Sequence, residues 1–296
     1  MPINELERHP FLNYIDTEID QSANYKGLII GSFPVYSCTD TVDKNLGVIE
    51  RRFNPKDVTM RFFYCSKKSK FWEYCSSAFG EVNPTKKLNN EKIEESIINA
   101  RQRTIDFLNR NNLLITDVIY QTNRKDYGDE DSNLLQLNGA DNWIVQNLSL
   151  NHGISNILDN HPSITNLYFT ARGLTGNNPF ALFKTIFGNR LVVKESYSAG
   201  FKITINRKEY NVFLLPTPKP RGIHFTDNQR NPFFESYMQN TDLNFYDLIR
   251  KIEKSERTKD QNDRIKILRH NFLVESYKQA FIHKNLSFKG FVGNGF

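Results

Sequence analysis

The feature that most limits how this chain folds is a set of short apolar runs, each stopping abruptly on polar or turn-forming residues. They are KGLIIGSFP at 26–34, NLLITDVIY at 112–120 and TNLYFTA at 165–171. Runs of Leu, Ile and Val without polar alternation suit strands buried on both faces, as in a parallel sheet. Helical patterns lie between them. Ser69 is read as the N-cap of a helix running to Ala78 and closed by Gly80, and 91–110 repeats Ile93, Ile97, Ile98, Ile105 and Leu108 at helical spacing. Asp141 opens a further helical stretch, another runs to 160–162, and NPFALFKTIFG at 178–188 is a helix stopped by Gly188. An amphipathic hairpin turns near Asn206. Strands alternating with helices predict a mainly parallel sheet flanked by helices. Beyond residue 240 the pattern is charged and helical, read as a pair of helices broken near 255–262.

The chain has 296 residues, 39% hydrophobic and 24% charged, which argues for a globular protein and against disorder. No apolar run approaches the length of a bilayer, and the first 20 residues carry no signal-type stretch, so a cytoplasmic protein without a membrane partner is expected. Cys38, Cys65 and Cys75 show no metal-ligand spacing and are expected as reduced thiols; neither metal nor cofactor is expected.

The net charge is +6, and the window 51–72 alone carries that excess: Arg51, Arg52, Lys56, Arg61, Lys67, Lys68 and Lys70 against the single acid Asp57. Phe53, Phe62, Phe63, Tyr64, Phe71 and Trp72 interleave with these cations. Phosphate backbones and exposed bases attract such a mixture, which makes DNA the expected partner. Phe71 and Trp72 are assigned to the core, the lysines to the interface.

Four segments in order, IIGSFP (29–34), FYCSKKSKFW (63–72), LLITDVI (113–119) and LPTPKP (215–220), with NHPSITNLYFTAR (160–172) between the last two, resemble the uracil-DNA glycosylase superfamily, closest to its hypoxanthine/deoxyinosine branch. The resemblance is strongest over 25–225, within a glycosylase-like domain at 1–240 followed by a helical extension at 241–296. It implies an α/β/α three-layer sandwich around a four-stranded, mainly parallel sheet. It also implies an enzyme that flips a nucleotide into a pocket at the strand ends and hydrolyses the bond between sugar and base.

Ser32 and Phe33 would then line the base pocket, with Tyr36 and Tyr64 as further stacking platforms. Thr116 and Asn123 are candidates for reading the base edge. Many superfamily members carry an acid or amide where Phe33 stands; in the hypoxanthine branch an Asn lies where this chain has Ser69, and a serine cannot hold water at two points as an amide does. Asp40 and Asp43, in the loop after the first strand, are the first replacements, and Asp117 is the next. Each has a structural alternative: a solvated loop position for Asp40 and Asp43, a cap or loop anchor for Asp117. The proline-stiffened last motif would press against the DNA backbone, with Thr217 as a DNA contact and Lys219 and Arg221 touching phosphate or filling the space left by the flipped nucleotide; His224 would donate to the departing base or serve as an ordinary surface or packing residue.

Three functions follow. The first is removal of uracil or hypoxanthine in repair. The second is removal of a bulky phage base such as glucosylated hydroxymethylcytosine in anti-phage defence, suggested by the long loop from Val35 to Arg61 and the C-terminal addition. The third is DNA binding on the same scaffold without catalysis, suggested by Phe33 and Ser69.

Overall fold

The computed structural model describes residues 6–34, 36–42, 49–51, 55–89, 91–123, 148–176, 178–218, 225–226 and 229–288. Its main sheet has six strands. The apolar runs form β2 (Gly27–Gly31), β5 (Leu113–Asp117) and β8 (Asn166–Phe169), and the hairpin supplies β10 (Gly200–Ile205) and β11 (Lys208–Leu214), preceded by β9 (Leu191–Tyr197). The order is β5-β2-β8-β11-β10-β9. β2 pairs in parallel with both β5 and β8, and β8 in parallel with β11, whereas β10 runs antiparallel to β11 and β9. The expected mixed α/β fold with a mostly parallel sheet is present; the sheet is six strands wide rather than four because the hairpin continues it. Every residue of β2, β5 and β8 is buried, as their unbroken apolar sequences require.

A second sheet was not legible in the sequence. Short strands β1 (Leu6–Arg8), β3 (Asp40–Val42), β4 (Ile49–Arg51), β6 (Ile119–Thr122) and β7 (Ser149–Leu150) assemble antiparallel in the order β4-β3-β1-β6-β7. The expected long loop after β2 therefore contains a one-turn 3-10 helix, Tyr36–Cys38, and two strands. The run 112–120 is two strands. After Asp117 the chain leaves the main sheet, with Val118 N–H donating to Gly31 O at 2.9 Å and Ile119 N–H to Ser32 O at 3.1 Å.

Helix α1 spans Tyr14–Thr17, α2 Phe71–Phe79, α3 Ile93–Arg110, α4 Gly153–Asn160 and α5 Pro179–Phe187. The start of α2 corrects the sequence reading by one residue. Lys70 is the N-cap and Ser69 Oγ accepts the Phe71 N–H at 3.3 Å, while Gly80 closes the helix at φ 71°, where a Cβ would be strained. On α3 the buried stripe runs through Ile97, Ala100, Thr104, Ile105, Phe107 and Leu108; Ile93 and Ile98, expected inside, are 61% and 70% exposed. The helix expected from Asp141 lies outside the described residues.

The C-terminal region forms α6 (Pro232–Thr241), α7 (Leu243–Ile249) and α8 (Lys259–Phe281), the last opened by a reciprocal Thr258–Gln261 capping box. Phe272, Tyr277 and Phe281 of α8 belong to the same buried cluster as Phe71, Tyr74 and Tyr168. Tyr277 packs edge-on to Phe71 at 6.0 Å and donates to Pro216 O at 3.1 Å, so α8 reaches the end of β11.

The expectation of three reduced thiols is corrected for two of them: Cys38 and Cys65 are joined by a disulfide, across 27 residues of chain. Cys75 is free and buried, and burial raises its pKa well above that of an ordinary thiol. No helix among the described residues is long and apolar enough to cross a membrane.

Candidate active site at the strand ends

In an open α/β sheet, ligands bind outside the carboxyl ends of the strands, at the point where the connections turn back across the sheet. Here the chain moves outward from β2 to β5, then returns past β2 to β8, which puts that crevice between β2 and β8. Gly31, Ser32 and Phe33 leave β2 on one side of it, and Thr170 and Arg172 leave β8 on the other.

Asp117 ends β5 beside this crevice and is 5% exposed. Its Oδ2 lies 2.9 Å from His9 Nε2. His9 Nδ1 accepts the Phe11 N–H at 3.1 Å, so the ring proton sits on Nε2 and is donated to the carboxylate. The imidazole is enclosed by the rings of Phe11, Phe33 and Phe63, with centroids 5.8, 5.8 and 5.1 Å away. A carboxylate buried among aromatics is costly unless partnered, and the imidazole supplies the partner.

Gly31 sets the approach from the other side. A Cβ there would overlap both Asp117 Oδ1 and the Tyr64 hydroxyl, so the absent side chain is what lets those two oxygens gather over the end of β2. Tyr64, at φ 55°, stacks on Phe71 at 4.1 Å and donates to Thr170 Oγ1 across the crevice. Arg172 follows, with Tyr277 close by; burial lowers the guanidinium pKa to about 10, and the neighbouring Tyr277 acts in the opposite sense. The strand ends thus carry a held carboxylate and a phenol, with a guanidinium following β8; groups of these types are able to orient water and stabilise developing charge.

The structure gathers some sequence candidates here and separates others. Phe33 and Ser32 are both 8% exposed at the end of β2, and Phe33 lies edge-on to His9. Asn123 is fully buried beyond β6, and its side-chain amide meets no hydrogen-bond partner among the described residues. Thr116, also fully buried, accepts from Asn151 Nδ2 at 3.1 Å, which ties β5 to the turn before α4. Ser69 serves the backbone turn into α2.

Asp40 is no solvated loop residue. It lies in β3 opposite Arg8, is 9% exposed, and faces a cavity shared with Arg61 and Arg101 rather than with Asp117. Thr217 is half-buried past the end of β11. Asp43, Lys219, Arg221 and His224, and the side chain of Tyr36, lie outside the described residues.

Of the basic stretch, Lys67 Nζ donates to Pro55 O at 3.1 Å and Lys56 O at 2.8 Å, and Lys70 pairs with Glu73 at 2.6 Å; both remain exposed. Lys68 is exposed, and its ammonium has no such partner among the described residues. Phe71 and Trp72 are core residues, as expected, and Trp72 Nε1 donates to Phe63 O at 2.9 Å.

His9, Thr170, Arg172 and Tyr277 were not singled out in the sequence. A lone histidine near the N-terminus and a tyrosine on a C-terminal helix carry no local signal of a shared site. Among the described residues, no group of three or more His, Cys, Asp and Glu side chains is arranged to hold a metal ion. No protein-family model, curated protein or solved structure matches the chain.

Proposed function

We propose that the chain is a DNA N-glycosylase that everts one nucleotide into the crevice at the carboxyl ends of β2, β5 and β8 and hydrolyses its glycosidic bond. The observation that carries this reading is the Asp117–His9 pair, a buried, oriented carboxylate at the end of a parallel strand beside Gly31. The four mutually parallel strands β5, β2, β8 and β11 are taken as the core of the three-layer sandwich implied by the sequence resemblance.

In this mechanism the bond between the sugar C1′ and the base nitrogen breaks with its electron pair going to the base. The sugar cation that develops is stabilised by Asp117, which also orients the attacking water. Water oxygen bonds to C1′, and a proton released from it neutralises the base. Arg172 supplies positive charge at the other wall, and the exposed lysines of 67–70 hold phosphate. Eversion costs a few kcal/mol of stacking, which aromatic contact with Tyr64 and Phe33 offsets.

Incubation with duplexes containing uracil, hypoxanthine or glucosylated hydroxymethylcytosine, followed by alkali, tests the reading directly. Strand cleavage at uracil or hypoxanthine assigns a repair enzyme; cleavage confined to the glucosylated base assigns a defence enzyme. The use of Ser69 in the backbone turn favours a second reading, DNA binding without turnover. Tight binding of all the duplexes with no cleavage, in a preparation whose Asp117 is intact, would select it.

A further inference from the structure

A small cavity of about 210 Å³ lies at the amino end of β11, the opposite end of the parallel strands from the crevice. Its walls follow from local geometry. Asn206 and Arg207, both at positive φ (49° and 69°), make the two-residue turn that sets Ile205 of β10 opposite Lys208 of β11. Lys208 and Tyr210, two residues apart on one strand, point to the same face. Ser155, Leu158 and Asp159 share one face of α4 and close the cavity from the other side, with Phe187 from the end of α5. The polar groups here are not engaged elsewhere. The Lys208 ammonium is shielded from solvent, has no hydrogen-bond partner among the described residues and lies 4.9 Å from the centre of the Tyr210 ring. Burial lowers its pKa, against the opposing pull of Asp159. Tyr210 is 4% exposed; burial, and then Asp159, raise its pKa to about 12, so its hydroxyl keeps its proton, and that hydroxyl meets no hydrogen-bond partner among the described residues. The Asp159 carboxylate is exposed and makes no hydrogen bond or ion pair among the described residues.

We propose that this cavity binds a free α-amino acid with an apolar side chain. Lys208 and Tyr210 offer two donors to the ligand carboxylate, Asp159 accepts from its ammonium, and Leu158, Phe187 and Ile205 give its side chain an apolar wall. A cation over a ring is held less firmly than one donating to a carboxylate, so the flexible lysine end exchanges the Tyr210 ring for the ligand. Asp159 disfavours a dianion such as phosphate, which brings like charge beside it with nothing to offset it. A peptide terminus carries only one of the two charges, so the zwitterion of a free amino acid is what satisfies both walls. The site is independent of whether Asp117 performs hydrolysis.

Titration calorimetry of the full chain with L-leucine, isocaproate, isoamylamine and inorganic phosphate tests this, since isocaproate lacks the ammonium of leucine and isoamylamine its carboxylate. Leucine is expected to bind at least about tenfold more tightly than either analogue, because a hydrogen bond between charged groups is worth about that factor. Asp159→Asn, at an exposed position and so harmless to the core, should remove the advantage of leucine over isocaproate. Lys208→Met should remove its advantage over isoamylamine without lowering the melting temperature, since methionine fills the same space with no buried charge. Tyr210→Phe should weaken leucine and isocaproate alike and leave isoamylamine unchanged. Equal affinity for leucine and its single-charge analogues, a leucine advantage that survives both Asp159→Asn and Lys208→Met, phosphate binding as tight as that of leucine, or binding by none of the probes would overturn the proposal.

Discussion

His9 Nε2 and Asp117 Oδ2 lie 2.9 Å apart although 108 residues separate them in the chain. The pair joins the residue after the first strand of the small sheet to the end of an edge strand of the large one, and both side chains are buried. Removing the imidazole alone leaves a buried carboxylate without its donor. His9→Ala is therefore expected to cost about 3–5 kcal/mol of stability, and Asp117→Asn less, about 1–3 kcal/mol, since the amide is neutral. Urea denaturation of the two variants measures the difference.

The proposed hydrolysis gives Asp117 a second test. In single-turnover assays on whichever duplex the protein cleaves, Asp117→Asn should lower the rate by about 10²–10³-fold while leaving DNA affinity within about twofold. A variant that cleaves at the parental rate would remove Asp117 from the reaction.

Gly31→Ala probes the convergence over β2. The added methyl would overlap Asp117 Oδ1 and the Tyr64 hydroxyl, so the carboxylate or the phenol must move. A loss of about 1–3 kcal/mol is expected, as for overpacking elsewhere, together with a fall in cleavage that exceeds any fall in binding.

The lysines of 67–70 should separate by what they already hold. Lys67 and Lys70 are engaged within the protein, while Lys68 has no comparable partner among the described residues. Lys68→Ala is expected to weaken DNA binding uniformly across sequences and to reduce the slope of log affinity against log salt by about 1, with smaller changes for Lys67→Ala and Lys70→Ala. Three identical slopes would show that the internal bonds do not matter.

Lys284 offers a pH test away from the site. Its ammonium donates to the Tyr168 hydroxyl and lies over that ring, and burial lowers its pKa to about 8 from the usual 10.5. Between those two values the unfolded chain binds more protons at this position than the folded one, so stability rises with pH across the window. Buried tyrosines, whose pKa values are raised, act oppositely above about 10. Between pH 8 and pH 10 the melting temperature of Lys284→Met should therefore rise less, or fall more, than that of the parent, the opposing contribution of the buried Cys75 thiol being common to both.

The sequence by itself determined the parts whose signal is local. The apolar runs that became β2, β5 and β8, the hairpin about Asn206, and the ends of α2 and α5 at Gly80 and Gly188 all follow from burial pattern and turn chemistry within a few neighbouring residues. The small sheet was not legible because its strands are only two to four residues long, too short to display a period, and the partners of its central strand β1 lie far along the chain. The tertiary structure alone moved Asp40 from a loop to the wall of another cavity, joined Cys38 to Cys65, and brought His9 and the Tyr64 hydroxyl to Asp117 at the strand ends. A side chain's type states what it can bond to; which partner it meets depends on how two sheets and a C-terminal helix pack, and that is a property of the whole chain.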